Sequence, residues 1–301
     1  MLIEVLLSIV MVCIIMVLLV WFKPLWIMNY LVATYHCQII KDLPYADDLR
    51  HNQDLYIPKK SVRDKPIVVF IHGGAWDDGH KNDYKFVGLA FSEMGYITAI
   101  PNYRLYPQVL FPHFIEDVAC AVANLPQTLI EQGIEFSAPL KVVLVGHSAG
   151  AHSAAMLVTK NEYLNAVGSQ VKIQGFVGMA GPYDLPLDDE LVVGKFDGVK
   201  LHEVIEHQVD SGHVHNSHDA NPINLAMSGI PATLLIHGAK DGTVGPYHTE
   251  RFSRRLSHLN VPHEVLIYEN ADHRHLIGAL SVFARFINPV FKDIERFLKS
   301  L

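Results

Sequence analysis

The stretch VVLVGHSAGAH, Val142–His152, places a serine between a run of apolar residues and a segment rich in alanine. The apolar run predicts a buried strand, and the segment that follows predicts the beginning of a helix. Ser148 therefore falls on the turn between them, inside a G-x-S-x-G pattern. Such a pattern is expected by chance in about one chain in ten of this length, so the rest of the chain must decide its meaning.

Around this stretch, short apolar runs alternate with longer amphipathic segments. The runs are rich in Val and Ile and predict buried strands at 67–72, 96–100, 141–146, 173–180, 232–238 and 263–268, with a candidate edge strand at 54–58. The segments between them predict helices at 82–94, 113–125, 149–160 and 246–259, and a final helix within 276–299. This alternation predicts the α/β class, with a mostly parallel central sheet and helices on both of its faces.

The turn at Ser148 is flanked by Gly146 and Gly150, which lack the Cβ atoms that would collide in a sharp strand-to-helix turn. This pattern is typical of a nucleophile elbow, in which the serine hydroxyl is exposed and the next N–H group faces the site. A serine hydroxyl is a weak nucleophile, so it needs a base and a third group that orients the base. A glycine-lined turn without a catalytic role is the alternative interpretation.

Candidates for the base and the acid follow two later strands. Asp241 comes after TLLIHGAK, and His273 comes after VLIYENAD. Because functional groups in open parallel sheets gather beyond the carboxyl ends of the strands, both are expected near Ser148. The order Ser, Asp, His along the chain is the one that this scaffold uses, with Asp241 holding the tautomer of His273.

A second candidate exists for the base and another for the acid. His275 lies two residues beyond His273 and is either a second candidate base or part of the next helix. Asp184 follows the strand that ends in GMAGPYD and is a second candidate acid. Asp272 is interpreted as a turn residue.

A loop that contains glycine, HGGAW at 72–76, follows the strand IVVFIH. Backbone N–H groups aimed at a developing oxyanion stabilise its charge, and glycines allow a loop to turn those groups inward. We therefore predict an oxyanion hole formed by Gly73, Gly74 and Ala75 with the N–H group of Ala149. The histidine that begins the loop is interpreted as a residue that orders it.

The first 24 residues contain an uncharged run, VLLSIVMVCIIMVLLVWF, from Val5 to Phe22. A helix of these 18 residues would be about 27 Å long, close to the roughly 30 Å hydrocarbon core of a bilayer. A cleaved signal peptide fits poorly, because no Lys or Arg precedes the run and no cleavage site of small residues follows it. We therefore predict a single-pass transmembrane anchor at 1–24.

The next segment, 25–41, is uncharged as far as Ile40 and has apolar residues near helical spacing. It predicts an interfacial or capping helix, with the catalytic domain at 42–301. Lys23 and Lys41 follow the anchor, which favours a cytoplasmic position for that domain.

Composition argues against several kinds of partner. The formal net charge of −7 gives no sign of a phosphate-binding surface, so nucleic acid is not expected as a partner. The 3 cysteines are too few for a disulfide framework. Five histidines between His202 and His218 lack the H-E-x-x-H spacing of a zinc helix, so we expect no metal there. We interpret that segment as a polar excursion that can overhang the pocket.

Seven stretches in order resemble the α/β-hydrolase superfamily. They are HGGAW (72–76), NYRLYP (102–107), FIEDV (114–118), GHSAGAH (146–152), NPINL (221–225), HGAKDGTV (237–244) and YENADH (268–273). They are most similar to its HGGG-type esterase branch, near hormone-sensitive-lipase-like esterases, arylformamidases and isoprenylcysteine methylesterase-like proteins. The resemblance runs from about residue 42 to residue 300.

The resemblance implies the α/β-hydrolase fold and specific roles for the matching residues. Ser148, Asp241 and His273 match the family's catalytic triad, and the spacing of the last stretch favours His273 over His275. The HGG loop and the residue after the serine match the family's oxyanion hole. Ala75 departs from the many members that have a third glycine, which leaves the shape of the loop open.

These residues predict a serine hydrolase that cleaves a small-molecule carboxylic ester through an acyl-enzyme, without a metal or an organic cofactor. An arylformamidase or a prenylcysteine methylesterase would use the same triad. A membrane-anchored binding protein on a hydrolase fold is the non-enzymatic alternative, although such proteins usually lack a triad residue. The acyl group, the alcohol group and the oligomeric state are left open by these residues.

Overall fold

The computed structural model describes residues 36–59, 65–197 and 219–301, with the single residues 11, 29, 32, 34 and 199. The strands of the central sheet are β1 Cys37–Pro44, β2 Asn52–Pro58, β3 Ile67–Ile71, β4 Thr98–Pro101, β5 Lys141–His147, β6 Lys172–Met179, β7 Ala232–Gly238 and β8 His263–Tyr268. Their order across the sheet is β1-β2-β4-β3-β5-β6-β7-β8. Strands β3 to β8 are parallel, and the β1–β2 hairpin joins the β4 side antiparallel.

The helices fall between these strands, as the alternation in the sequence predicts. They are a short 3-10 helix at Lys81–Tyr84, α1 Lys85–Glu93, α2 His113–Glu131, α3 Ala149–Thr159, α4 Glu162–Ala166, α5 Pro222–Leu225, α6 Tyr247–His258, α7 His273–Gly278 and α8 Val290–Ser300. The predicted α/β class with a mostly parallel sheet is confirmed.

Two apolar layers cover the two faces of the sheet. Alternate residues of β5 enter different layers, since successive side chains of a strand point to opposite faces. Val142 and Leu144 pack in the layer with α2, α3 and α6, and Val143 and Val145 pack in the layer with α1, α7 and α8. Because both faces of the sheet are buried, its strands carry continuous apolar runs, and these runs allowed the strands to be predicted from the sequence.

The parallel strands β3, β5, β7 and β8 all end at the same edge of the sheet. The HGGAW loop follows β3, Ser148 follows β5, Asp241 lies three residues after β7, and His273 lies five residues after β8. The topology therefore gathers the four predicted elements of the site at one edge, although they span 200 residues of the chain.

The amino-terminal boundary of the domain differs from the prediction. Residues 37–41 were predicted to be part of a helix at 25–41, but Cys37–Pro44 is strand β1. Ile39, which fits a helical spacing, and its neighbour Ile40 instead pair with Tyr56 and Leu55 of β2. The hairpin partner, distant in sequence, decides between the two conformations, so the sheet begins before residue 42.

The carboxyl-terminal helix also differs from the prediction. Two helices, α7 and α8, replace the single helix predicted within 276–299. Gly278 ends α7 and Pro289 immediately precedes α8. Because proline lacks the N–H group that a continuing helix would need, a single helix cannot run through Pro289 without losing a hydrogen bond, and the helix is interrupted between Gly278 and Pro289.

Two predicted features lie outside the described residues. The anchor at 1–24 does so except for Met11, and so does the His202–His218 segment. No helix in the described part of the chain is both long enough and apolar enough to cross a membrane.

Candidate active site

Ser148 occupies a strained turn between β5 and α3. Its backbone has φ 55° and ψ −125°, a conformation that residues with a Cβ atom rarely adopt. Its N–H group donates to the carbonyl of Met179 on β6, which ties the turn to the neighbouring strand. Ser148 is partly exposed while the residues on either side of it are buried. The turn therefore lifts this side chain out of the core, as expected of a nucleophile elbow.

Gly146 and Gly150 are required by this turn for steric reasons. A Cβ atom on Gly146 would lie 2.3 Å from the carbonyl oxygen of Gly150. A Cβ atom on Gly150 would lie 2.1 Å from the carbonyl oxygen of Ile71, at the end of β3. The second contact shows that the start of α3 is pressed against the strand that leads into the HGGAW loop.

The HGGAW loop has an unusual backbone over three successive residues. Gly74 has φ 123°, and Ala75 and Trp76 have φ 46° and 62°. A Cβ atom on Gly74 would lie 2.1 Å from the carbonyl oxygen of Asp78, so only glycine fits there. Ala75, where a third glycine is common in the family that the sequence resembles, adopts the left-handed conformation at a cost of about 1–2 kcal/mol.

Gly73 brings this loop against the elbow. A Cβ atom on Gly73 would lie 3.0 Å from the Cβ atom of Ser148 and 2.9 Å from the carbonyl oxygen of His147. Ala149 begins α3, and the first N–H groups of a helix have no partner within the helix. Gly73 and the amino end of α3 thus meet beside Ser148, where an oxyanion hole is predicted.

Asp241 and His273 are hydrogen-bonded to each other. His273 Nδ1 lies 2.7 Å from Asp241 Oδ2, and both side chains are largely buried. The other oxygen, Oδ1, accepts from the N–H groups of Thr243 and Val244, each at 2.9 Å. Because all these donors favour a carboxylate, Nδ1 of His273 is the protonated nitrogen and Nε2 is left to accept a proton.

The environment of Asp241 stabilises its charged form. Burial pushes the pKa of Asp241 upward, but hydrogen bonds from His237 and His273 outweigh that effect and hold it below its ordinary value. The carboxylate is therefore ionised throughout the neutral range, as an orienting acid requires.

His237 is a second histidine on this carboxylate that the sequence analysis did not single out. Its Nε2 lies 2.8 Å from the carbonyl of Val244 and 3.4 Å from Asp241 Oδ2, and its Nδ1 lies 2.8 Å from the hydroxyl of Thr249. A carbonyl only accepts, so Nε2 of His237 carries the proton. A histidine four residues before a candidate acid is the sequence signal that could have indicated it.

His147, the residue before the serine, links the elbow to His273. Its Nε2 donates to the carbonyl of His273 at 3.0 Å, and the two ring centroids are 4.8 Å apart. Burial, with a smaller contribution from the neighbouring His273, lowers the pKa of His147 to about 3. His147 is therefore a neutral imidazole that fixes the backbone of the candidate base.

His72, the first residue of the HGGAW loop, has contacts that are consistent with the ordering role predicted for it. Its ring is stacked between Tyr103 and Tyr84, with centroid distances of 4.4 and 5.8 Å. Its Nδ1 donates to the carbonyl of Gly73 at 2.8 Å. Burial lowers the pKa of His72 to about 3, so this side chain stays neutral.

The rival base has a different role in the structure. His275 forms a capping box with Asp272 at the start of α7, in which the Asp272 carboxylate accepts from backbone N–H groups of the first turn. Both side chains are substantially exposed. This geometry favours His273 as the base and agrees with the interpretation of Asp272 as a turn residue.

The rival acid is paired elsewhere. Asp184 is buried, and its Oδ2 lies 2.6 Å from Arg251 Nη1 on α6. Its Oδ1 lies 3.4 Å from the amide of Asn221, and its backbone N–H donates to His248. These contacts favour Asp241 as the acid that orients His273.

Buried aromatic side chains pack around Trp76 of the HGGAW loop. Trp76 meets Phe196 edge-on at 4.8 Å and His152 at 5.1 Å. Lys195 also forms an ion pair with Asp77 at 2.5 Å. Phe196 and Lys195 belong to the start of the excursion between β6 and β7, so the described part of that excursion packs directly on the candidate oxyanion loop.

Comparison with known families assigns the chain. Residues 53–256 match the BD-FAE family, and this range is more than half of the 301 residues. The chain belongs to the BD-FAE family. The matched range of this BD-FAE protein contains the HGGAW loop, Ser148 and Asp241, whereas His273 lies beyond it.

Curated relatives of this BD-FAE chain are enzymes that act on esters or formamides, by their descriptions. A probable isoprenylcysteine alpha-carbonyl methylesterase of Oryza sativa subsp. japonica is 27% identical over 78% of the chain and 58% of its own length. A kynurenine formamidase of Danio rerio is 28% identical over 49% of the chain and 47% of its own length. The chain thus spans little more than half the length of the methylesterase relatives.

Solved structures show the same fold. An inhibited esterase B from Lactobacillus rhamnosis is 19% identical, with a TM-score of 0.71 over 95% of this chain and 96% of that one. A truncated carbohydrate esterase from gut microbiota has a TM-score of 0.69 over 89% of this chain and 98% of that one. The BD-FAE chain therefore has the α/β-hydrolase fold that the sequence predicted.

Proposed function

We propose that this protein is a serine hydrolase of carboxylic esters, with Ser148 as nucleophile, His273 as base and Asp241 as orienting acid. The 2.7 Å contact between His273 Nδ1 and Asp241 Oδ2, at the edge of the sheet where the strained Ser148 turn emerges, is the observation that carries this proposal. The descriptions of the relatives support the same reaction class.

The reaction begins when Ser148 Oγ attacks the ester carbonyl carbon and its proton passes to Nε2 of His273. The carbonyl oxygen becomes an oxyanion, which the N–H groups of residues 73–75 and Ala149 stabilise. The C–O bond to the alcohol then breaks, and the alcohol leaves with the proton from His273. Water then attacks the acyl carbon and gives a proton to His273. The bond between the acyl carbon and Ser148 Oγ breaks, the acid leaves, and His273 returns the proton to Ser148 Oγ.

The contacts of Asp241 explain how the base is prepared for this reaction. Its hydrogen bond keeps the proton of neutral His273 on Nδ1, which leaves Nε2 free to accept the serine proton. Its negative charge then stabilises the imidazolium that forms. Asp241 performs both roles without changing its own protonation state, since its pKa lies below its ordinary value.

For the substrate, we propose a carboxylic ester with a large apolar part, and a prenylcysteine methyl ester is the first candidate. The descriptions of the methylesterase relatives, which match 78–84% of the chain, favour it. A formamide is the second candidate, since kynurenine formamidases match about half of the chain.

The test compares Ser148→Ala with Ser257→Ala, an exposed serine on α6 that lies outside the site. Hydrolysis of nitrophenyl butyrate and labelling by a fluorophosphonate should be lost in Ser148→Ala and kept in Ser257→Ala. Full activity of a folded Ser148→Ala protein would rule out the mechanism. The kcat/KM values for nitrophenyl butyrate, a prenylcysteine methyl ester and formyl-kynurenine then rank the substrate classes.

We further propose that residues 1–24 anchor the protein in a membrane, with the catalytic domain on the cytoplasmic side. The 18-residue uncharged run and the positions of Lys23 and Lys41 support this proposal. The protein should stay with membranes in alkaline carbonate, and protease added to sealed vesicles should reach the domain only from the cytoplasmic face. Release by carbonate would contradict the anchor.

A further inference from the structure

The loop between α7 and α8 exposes several large apolar side chains in one place. Four of the six positions at 282–287 are apolar and exposed, namely Val282 at 55%, Phe283 at 48%, Phe286 at 85% and Ile287 at 40%. We call these residues 282–287 the apolar loop. Single exposed apolar residues are common on protein surfaces, but adjoining ones mark an interaction surface.

The apolar loop is held in this shape by the residues beneath it. Ser281 and Ala284 are buried, and successive turns are closed by hydrogen bonds from Ala284 N–H to Ser281 and from Ile287 N–H to Ala284. Arg285 forms two hydrogen bonds to the Glu93 carboxylate, at 2.8 and 2.7 Å. The loop is therefore fixed against α1, and its apolar side chains are turned away from the core.

The charges around the apolar loop fit an anionic lipid surface. Between Asp272 and Asp293 the chain carries Arg274, Arg285 and Lys292 and no Asp or Glu, although the whole chain has a net charge of −7. Arg285 is partly neutralised by Glu93, whereas Arg274 and Lys292 add positive charge on the two helices, α7 and α8, that flank the apolar loop in the chain. Basic residues beside an apolar surface favour the negatively charged headgroups of the cytoplasmic leaflet.

The apolar loop also lies on the flank of the domain where the chain arrives from the amino terminus. Asn29 donates to the carbonyl of Asn82 and accepts from the N–H group of Phe86, at the start of α1. Glu93, the partner of Arg285, is at the other end of α1, about 11 Å from Phe86 along the helix axis. Asn29 is seven positions after Phe22, so the chain can place the end of the uncharged run no more than about 25 Å from Asn29.

We propose that the apolar loop inserts into the surface of the bilayer that the anchor crosses. This inference rests on the membrane anchor proposed above and is independent of the hydrolytic mechanism. The tether keeps the domain close to the bilayer, and the inserted loop adds a second contact that fixes which side of the domain faces the lipid. The loop begins nine residues after His273, so docking there also fixes the orientation of the candidate site relative to the membrane.

Tryptophan quenching in vesicles tests this docking. The full chain is reconstituted in vesicles of phosphatidylcholine and phosphatidylserine, with or without brominated phosphatidylcholine, as wild type, Phe286→Trp and Ile130→Trp. Ile130 is a matched control, since it is 62% exposed on α2, over the opposite face of the sheet. The emission of the unsubstituted protein, which contains 3 tryptophans, is subtracted. Brominated lipid should remove most of the emission added by Phe286→Trp and little of that added by Ile130→Trp.

Equal quenching of the two variants, or none in Phe286→Trp, would overturn the proposal. The proposal would also be overturned if the emission of Phe286→Trp changed with the protein-to-lipid ratio but not with brominated lipid, since that result would indicate contact between two copies of the chain. Quenching needs no turnover, so the same measurement in a Ser148→Ala background separates failure of docking from failure of the proposed mechanism.

A kinetic measurement gives an independent readout. Phe286→Asp should lower turnover of a vesicle-borne long-chain ester by about tenfold, because a buried phenylalanine is worth at least that factor in affinity. Hydrolysis of soluble nitrophenyl butyrate should be unchanged in the same protein. Unchanged turnover of both esters would contradict the role of the loop.

Discussion

Replacement of Asp241 by asparagine should almost abolish turnover, and the reason lies in the contacts of the two carboxylate oxygens. Oδ1 accepts from the N–H groups of Thr243 and Val244, each at 2.9 Å. Oδ2 lies 2.7 Å from His273 Nδ1. An amide in this place must keep its oxygen on the two backbone donors, so its NH2 group takes the position of Oδ2. His237 Nε2, 3.4 Å from that position, then faces a donor as well.

The magnitude follows from the tautomer of His273. An NH2 group opposite Nδ1 requires Nδ1 to accept, which moves the imidazole proton to Nε2, where it blocks transfer from Ser148. The productive tautomer returns only if the amide flips, which leaves two buried N–H groups without acceptors at about 1–3 kcal/mol each. A cost of about 2–6 kcal/mol lowers the rate by about 30-fold to 10⁴-fold. The variant also lacks the negative charge beside the imidazolium, so we expect the decrease in rate to lie toward the upper end of this range.

The assay is kcat for nitrophenyl butyrate, with thermal unfolding as a check that the variant is folded. Asp241→Ala is the matched control, because it removes the carboxylate without forcing either tautomer on His273. The asparagine variant should therefore be no more active than the alanine variant. A folded Asp241→Asn protein within tenfold of wild type, or clearly more active than Asp241→Ala, would refute this account of the site.

Three further predictions address the loop, the rival acid and the pH dependence. Gly74→Ala should lower kcat about 10²–10³-fold, because a Cβ atom there would lie 2.1 Å from the carbonyl oxygen of Asp78 and displace the loop. Gly229→Ala is the control: Gly229 also has a positive φ, of 95°, but has open space around it, so this variant should keep the wild-type kcat and show the effect of the backbone angle alone. Asp184→Ala should destabilise the protein by about 3–5 kcal/mol in a denaturant titration, because the largely buried guanidinium of Arg251 loses its ion-pair partner. The kcat of the folded protein should stay within about tenfold of wild type, and a selective collapse of kcat would restore Asp184 as the acid. Folding lowers the pKa of Asp241, so below its unfolded pKa of about 4 the unfolded state binds more protons, and the stabilisation from Asp241 is lost as the pH falls. The free energy of unfolding of Asp241→Asn should therefore fall less steeply than that of wild type between about pH 4 and pH 2. Equal slopes would contradict this.

The sequence was informative wherever a residue's position followed from local pattern. Ser148, Asp241 and His273 each lie shortly after a run of Val, Ile or Leu, and parallel strands carry such positions to the same edge of the sheet. The glycines at 146 and 150 indicated a sharp turn before the structure showed which carbonyl groups their Cβ atoms would strike. Each of these features could be predicted from the residue pattern of one segment at a time.

The parts that the sequence could not provide depend on partners that are distant in the chain. Residues 37–41 fit a helical spacing, and only pairing with β2 makes them a strand. His147 was an unremarked position inside the G-x-S-x-G pattern, and its hydrogen bond to the carbonyl of His273 spans 126 positions. The contacts of His275 with Asp272 and of Asp184 with Arg251, which no spacing rule contains, count against these two alternative candidates.

The histidines around Ser148 differ in whether they can take part in proton transfer. His72 and His147 are buried, and burial lowers the pKa of each to about 3, so both remain neutral at physiological pH. A charged His147, with its ring 4.8 Å from that of His273, would repel the imidazolium that forms during acyl transfer. A neutral His147 instead donates a hydrogen bond to the backbone of His273 and adds no positive charge. Its burial thus keeps a second positive charge away from His273, as the proposed mechanism requires of a neighbour of the base.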